Sequence, residues 1–200
     1  MFARLLDMIR MTPEKRAAAD LYDAIVAAAR QPALYREGGA PDTVDGRFDL
    51  IALHAFLLFH RLSGEERWSK TGDALANHIM KDMDRNLREM GVGDMSVGKK
   101  MKKLARAFYG RLDAYWGALK GAEPDALGRA LARNVYRDES LDAAARDAAA
   151  ERLAVYVRAQ IDALAEQSTD ALLAGRVQFL DAAPLIVGAR PETPSKEAAE

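Results

Sequence analysis

The sequence contains no cysteine, which excludes disulfide bonds and thiolate metal sites. It has three histidines, and two of them, His54 and His60, face different directions if they share a helix, because they are six residues apart. His78 and Asp82 are four residues apart and face the same way, but two ligands alone make a poor metal site. We therefore expect no metal ion and no cofactor.

Long apolar runs are also missing, since none approaches the roughly 18–20 residues that a membrane-spanning helix needs. The first residues lack the uninterrupted apolar stretch and the small-residue cleavage site of a signal peptide. Helical spacing of Phe2, Leu5, Leu6 and Ile9 predicts a short amphipathic segment over residues 1–11. This segment either packs on its own domain, which we favour, or touches a membrane surface. We expect a cytoplasmic protein, soluble or peripheral to a membrane.

The sequence has no local motif of an enzyme. It contains no phosphate-binding P-loop, no dinucleotide-binding glycine pattern after a strand, no zinc-protease helix motif and no nucleophile elbow. We expect a protein that is not an enzyme and that has no small-molecule substrate. The alternative is a helical enzyme whose site is built from distant residues, with His54, His60, His78, Asp82 and Asn86 as candidates.

Helix signals follow one another along the chain, and no segment keeps the alternating pattern of a strand. Thr12 and Pro13 begin the first helix, and Pro32 ends it. The next helix, over about 46–62 behind an expected cap at Asp45, is apolar around most of its circumference. Such a helix is buried on nearly all sides, so we expect it to form the centre of the core.

Two long helices follow, one over about 65–90 and one that starts at Asp94 or Ser96. The turn between them contains Gly91, which suits the left-handed position that closes a helix, and its shortness predicts an antiparallel hairpin. Further helices are expected over 125–136, 141–166 and 168–174. The sequence thus predicts an all-α fold: a single multi-helix domain over residues 12–183, with a buried central helix and a long antiparallel helical hairpin, then a disordered tail over 184–200.

The second helix of the hairpin opens with a strongly basic run, and residues 95–112 contain no Asp or Glu. A charge run is usually a solvated helix face. Lysines in the first turn, however, lie at the positive end of the helix dipole, at a cost of about 0.3–1 kcal/mol each at low salt. Phospholipid headgroups, RNA phosphates or an acidic protein would offset this repulsion. The predicted basic face consists of Lys99, Lys100, Lys102, Lys103, Arg106 and Arg111.

Two further features of the hairpin are candidates for a role. Asp82 and Asn86 project onto the apolar face of the first hairpin helix, where polar groups must be hydrogen-bonded. We interpret them as a structural pair, with an arginine from a neighbouring helix as a candidate partner. Methionines cluster around the turn, and methionine adapts to varied apolar surfaces. Met90 and Met95 are therefore candidate contacts to a protein partner, and ordinary core packing is the alternative.

Four segments resemble the ubiquinol–cytochrome c chaperone family, the assembly factors of the respiratory cytochrome bc1 complex. They are VDGRFD at 44–49, DMDRNLREMGVGD at 82–94, SVGKKMKKLARAFYGR at 96–111 and ALARNVY at 130–136. The resemblance covers about residues 20–179, and the Ala- and Arg-rich style is similar to the alphaproteobacterial branch. It implies an α-helical, non-enzymatic chaperone that binds newly made cytochrome b until cofactors and partner subunits arrive.

The resemblance also implies the surroundings of the protein. Its expected partners are cytochrome b and either the ribosome or an anionic membrane surface, on the cytoplasmic face of the inner membrane. Mitochondrial members work with a small partner protein, which is therefore a further candidate partner. The alternative function is a general RNA- or ribosome-binding helical module that uses the basic face over 99–111. The segments hold residues of unassigned role, namely Asp45, Gly46, Arg47, Phe48, Asp49, Asp82 and Asn86.

Overall fold

The computed structural model describes residues 11–121, 123, 125–137 and 142–188. The predicted N-terminal segment, apart from Met11, and the chain after Gly188 lie outside the described residues. Within them there is no strand, and the all-α prediction is confirmed. The helices are α1 (Pro13–Ala29), α2 (Pro32–Arg36), α3 (Val44–Arg61), α4 (Trp68–Glu89), α5 (Asp94–Lys120), α6 (Ala126–Asn134), α7 (Ala143–Ala165), α8 (Thr169–Leu173) and α9 (Ala182–Gly188).

Helix α3 is the centre of the core, as predicted. Twelve of its 18 residues are buried, and it packs against α1, α5 and α7. Its cap is Thr43 rather than Asp45, because the Thr43 hydroxyl accepts a hydrogen bond from the Gly46 N–H at 3.1 Å. Asp45 lies two residues after the cap, in the first turn, where its negative charge is near the positive end of the helix dipole.

Helices α4 and α5 form the predicted hairpin. Gly91 has φ of +82°, and its N–H donates to the Arg88 carbonyl at 2.9 Å while the Val92 N–H donates to the Leu87 carbonyl at 3.0 Å. This pair of bonds closes α4 with a left-handed turn that glycine adopts without strain. The expected cap of α5 at Asp94 or Ser96 is wrong, because Gly93 occupies the cap position and α5 has no side-chain cap.

Helix α7 is held to α3 by a buried histidine. His54 Nδ1 lies 2.8 Å from the Leu50 carbonyl, and its Nε2 lies 2.8 Å from the Tyr156 hydroxyl. Because a backbone carbonyl only accepts, Nδ1 carries the proton and Nε2 accepts from Tyr156. His54 is therefore a neutral core residue, and both of its nitrogens have partners.

The last helix, α9, corrects the predicted start of the tail at residue 184, since it continues to Gly188. Ile186 is completely buried, and α9 packs against α7 and α2. The chain before it is held by Gln160, whose side-chain amide makes two 3.0 Å hydrogen bonds to the Leu180 backbone. Tertiary packing thus orders a segment whose composition alone resembles a tail.

Among the described helices, none has the length and apolar character needed to cross a lipid bilayer. The same residues contain no group of three or more His, Asp or Glu side chains arranged to hold a metal ion.

Candidate functional site

An open groove of about 660 Å³ lies where the end of α1, the start of α3, the end of α4 and the first half of α5 meet. Buried apolar side chains line it, among them Phe48, Ile51 and Met83. Two apolar side chains in its lining are largely open to solvent, with exposed fractions of 63% for Val44 and 52% for Met90. The groove therefore offers an apolar surface that the described part of the chain leaves uncovered.

The polar lining of the groove is mostly cationic. Asp45 and Glu89 are its two acidic residues, against six Lys or Arg. Arg47 pairs with Asp42 at 2.7 Å, whereas several of the others lack an acidic partner within the described residues. The six are Arg30, Arg47, Lys100, Lys103, Arg111 and Arg137.

Beneath the groove, one buried carboxylate faces two guanidinium groups. Asp49 is 1% exposed and forms ion pairs with Arg111, which is also buried, and with Arg137 at 2.7 Å. Burial raises the pKa of the Asp49 carboxyl, and the charges of Arg111 and Arg137 oppose that shift. With Asp49 ionised, the cluster carries one positive charge in excess, next to an apolar surface.

Arg111 is fixed by more than its ion pair. It donates to the Ala107 carbonyl at 2.9 Å, and its guanidinium carbon lies 5.1 Å from the centre of the Phe48 ring. Its Nε has no hydrogen-bond partner among the described residues, although the atom is buried. The arginine is therefore held in place with one donor unused.

The structure divides the predicted basic face. Arg111 does not belong to it, because the residue is buried against Asp49, a partner on another helix that the pattern of α5 alone does not reveal. Lys100 and Lys103 are exposed and line the groove. The remaining residues are exposed, lie outside the groove lining and are called the outer strip below: Lys99, Lys102 and Arg106.

The two candidate methionines are also separated. Met90 lines the groove, whereas Met95, at the start of α5, is fully exposed and lies outside the lining.

Comparison with known proteins identifies the family. The family described as "Ubiquinol-cytochrome C chaperone" matches residues 36–179. The chain belongs to the ubiquinol–cytochrome c chaperone family. Among solved structures, it is similar to the Cbp3 homolog from Brucella abortus, with 38% sequence identity and a TM-score of 0.73. That match covers 91% of this chain and 98% of the other. No curated protein matches the sequence.

Three of the four segments by which the chain resembles the chaperone family line the groove, and the residue after the fourth lines it too. The first supplies Val44 to the lining, the second Met90 and the third Lys103. Arg137 follows directly after the fourth segment, ALARNVY. Different parts of the sequence of this chaperone-family chain thus contribute to one surface.

Sequence reasoning missed several residues of this surface. Arg137 directly follows a family segment, so the sequence alone could have identified it as a candidate for this surface. Arg30 and Tyr35 also line the groove, but nothing in their local sequence marks them, because only the packing of α1 and α2 brings them there.

Within the first family segment, the residues have distinct structural roles. Asp45 lines the groove, Arg47 holds Asp42 of the preceding loop, and Phe48 lies against Arg111. Gly46 allows that loop to approach α3, since a Cβ there would lie 3.0 Å from the Pro41 carbonyl carbon and closer still to its oxygen. The segment therefore shapes the wall of the groove.

Replacing Gly46 with alanine is expected to lower the free energy of unfolding by about 1–3 kcal/mol, because the added methyl group must displace the Pro41 backbone. Gly110→Ala is the matched control. It lies in the interior of α5 with open space around it and should stabilise by about 0.5–1 kcal/mol. Urea unfolding followed by circular dichroism measures both. Equal effects of the two variants would contradict the role assigned to Gly46.

Asp82 and Asn86 form the predicted hydrogen-bonded pair. Their other partners differ from the expected arginine of a neighbouring helix. Asn86 donates to the Asp82 carboxylate at 2.9 Å, and the Tyr22 hydroxyl of α1 donates to the same carboxylate at 2.6 Å. The arginine is Arg85, from the same helix rather than a neighbouring one. Asp82 therefore fastens α1 to α4, and Asn86 lines the groove.

The three histidines of the alternative enzyme hypothesis each contact different residues. His60 lies against the Trp116 ring at 5.0 Å and His78 against the Tyr22 ring at 4.9 Å, while His54 is bonded within the core. Asp82 accepts hydrogen bonds from Tyr22 and Asn86, so its carboxylate takes part in the packing of α1 against α4.

Proposed function

We propose that this protein is a non-enzymatic assembly chaperone of the cytochrome bc1 complex and that it holds newly made cytochrome b in the groove. The observation that carries the proposal is that three of the four family segments line that one surface, together with Arg137, which directly follows the fourth. Membership of the chaperone family supplies the class of function, and the uncovered groove supplies a place for a client.

The chemistry of the groove suits a hydrophobic client. Val44 and Met90 present exposed apolar surface, and an exposed apolar patch bordered by polar residues marks a protein contact. Methionine at such a surface adapts to clients of varied shape. The groove would cover part of an apolar segment of cytochrome b until that segment meets its own partners.

We assign the outer strip a different role. Lys99, Lys102 and Arg106 are exposed and lie outside the groove lining, and none has an acidic partner in the described part of the chain. Exposed lysines and arginines are attracted to anionic phospholipids and to RNA phosphates. We propose that this strip brings the chaperone to the cytoplasmic face of the inner membrane or to the ribosome, with Met95 exposed beside it.

Deletion of the gene from a host that contains the bc1 complex tests the proposal. We expect the assembled bc1 complex, measured on native gels and by the absorbance of reduced cytochrome b, to fall severalfold. Wild-type protein supplied from a plasmid should restore it. Unchanged bc1 complex in the deletion strain would contradict the proposed function.

Assembled cytochrome c oxidase is the internal control in the same strains. If the protein were instead a general RNA- or ribosome-binding module, both respiratory complexes would fall together. Its binding to RNA would then weaken steeply with salt. A selective loss of the bc1 complex favours the assembly chaperone.

A further inference from the structure

The groove has an unbalanced charge beside its buried apolar lining. Asp49 is shared between Arg111 and Arg137, and the exposed Lys100 and Lys103 add positive charge to the same lining. Arg111 is 93% buried at its side chain and has an unused Nε donor. An unpaired charge beside an apolar surface is unfavourable, and an incoming anion would correct it.

We propose that the groove recognises an apolar protein segment through one acidic side chain, whose carboxylate pairs with Arg137 beside Arg111. This inference depends on the proposed function, because the client supplies the segment. It adds the feature by which the client is recognised: an Asp or Glu among apolar residues.

A carboxylate suits this position better than a phosphate. Guanidinium groups bind carboxylates through two parallel hydrogen bonds, and the carboxylate of one side chain fits among apolar neighbours such as Phe48 and Met83. Asp45 and Glu89 lie in the same lining and would repel the denser negative charge of a phosphate group or of RNA. The groove therefore favours an acidic protein segment over a lipid headgroup or nucleic acid.

Arg137 is the residue that can respond to the client. Its side chain is 46% exposed, whereas that of Arg111 is 7% exposed. Removing Arg137 leaves Asp49 paired with Arg111, so the fold keeps its buried ion pair. A substitution of Arg137 therefore does not leave the buried Asp49 without a partner.

Labelled synthetic peptides provide the test. Three 15-residue helical peptides share an apolar Leu/Ala face and differ at one position on it, which is Glu, Gln or Lys. Fluorescence anisotropy with the full-length protein should show the Glu peptide binding at least about tenfold more tightly than the Gln peptide, since a hydrogen bond to a charged carboxylate is stronger than one to a neutral amide. The Lys peptide should bind most weakly.

Arg137→Gln should remove the preference for Glu over Gln. The matched control is Arg129→Gln, because Arg129 is similarly exposed at 50%, pairs with Glu123 and lies outside the groove. It should leave the preference unchanged. Equal binding of the Glu and Gln peptides, no binding of any peptide, or a preference that survives Arg137→Gln would overturn the inference. So would displacement of the Glu peptide by phosphatidylglycerol vesicles that depends on Arg137.

The deletion strain separates failure of this inference from failure of the proposed function. If wild-type protein does not restore the bc1 complex, the proposed function fails. If wild-type protein and Arg137→Gln restore it equally well, the proposed function stands and the acidic recognition is wrong. We expect Arg137→Gln to restore severalfold less bc1 complex than Arg129→Gln.

Discussion

Replacing Asp49 with alanine should lower the free energy of unfolding by about 3–5 kcal/mol, because it leaves the Arg111 guanidinium buried without a counter-charge. The size of the effect comes from desolvation rather than from the attraction that is lost. Arg111 is almost completely buried. Water can therefore solvate its charge only if the contact between α3 and α5 opens. Urea unfolding followed by circular dichroism at neutral pH measures the change.

The matched control is Asp42→Ala, which removes the partner of Arg47 in a pair where both side chains are more than half exposed. Exposed ion pairs contribute about 0–1 kcal/mol, so this variant should remain close to the wild type. A second comparison tests the origin of the cost. Asp49→Leu combined with Arg111→Met replaces both charges with apolar groups and should recover most of the stability. A loss below about 1 kcal/mol in Asp49→Ala would show that Arg111 reaches solvent.

The stability of the protein should also fall as the pH drops from about 6.5 to about 4, through His54. Burial lowers the pKa of His54 from 6.5 to about 4, while the unfolded chain keeps a value of about 6.5. Between these values the unfolded state binds a proton that the folded state does not, so acidification favours unfolding. The contribution of His54 is intact above about pH 6.5, and about 3 kcal/mol of it is lost by pH 4.

The physical reason is burial, because a charged ring at His54 would lose its water, and the hydrogen bond from Nδ1 to the Leu50 carbonyl only partly opposes the lowering of its pKa. Nε2 accepts from the Tyr156 hydroxyl at 2.8 Å, and a proton on Nε2 would require that hydroxyl to turn away and accept instead. Unfolding free energies measured by urea from pH 7 to pH 4.5 should diverge between the wild type and His54→Gln, which does not titrate. Because carboxylates titrate in both proteins, the difference between the two curves isolates His54. Parallel curves would contradict the assignment.

The order of the helices could be predicted from the sequence because their signals are local. Thr12 and Pro13 mark the start of α1, Gly91 closes α4, and the all-round apolar pattern of α3 shows that it is central. Such features depend on neighbours within a few residues along the chain.

The groove could not be predicted in the same way, because its chemistry depends on contacts between distant residues. Arg137 is 88 residues from Asp49, and Arg111 follows lysines that do face solvent, so its charge gave no sign that it turns inward. Asp82 shows the same limit, since its partner Tyr22 is 60 residues away. Local patterns locate a charge on a helix but do not show what the next helix places opposite it.

The burial of α3 has a consequence for when the protein can fold during its synthesis. The contacts that enclose α3 reach far along the chain, with His54 bonded to Tyr156 across 102 residues and Arg61 to the Leu164 carbonyl across 103. Until α7 has left the ribosome, one side of the most apolar helix has no cover. Contacts between distant residues also slow folding, because a long loop must close before they form. A nascent chain that ends before α7 should therefore be prone to aggregation, and the chaperone completes its own core only when most of its sequence has emerged.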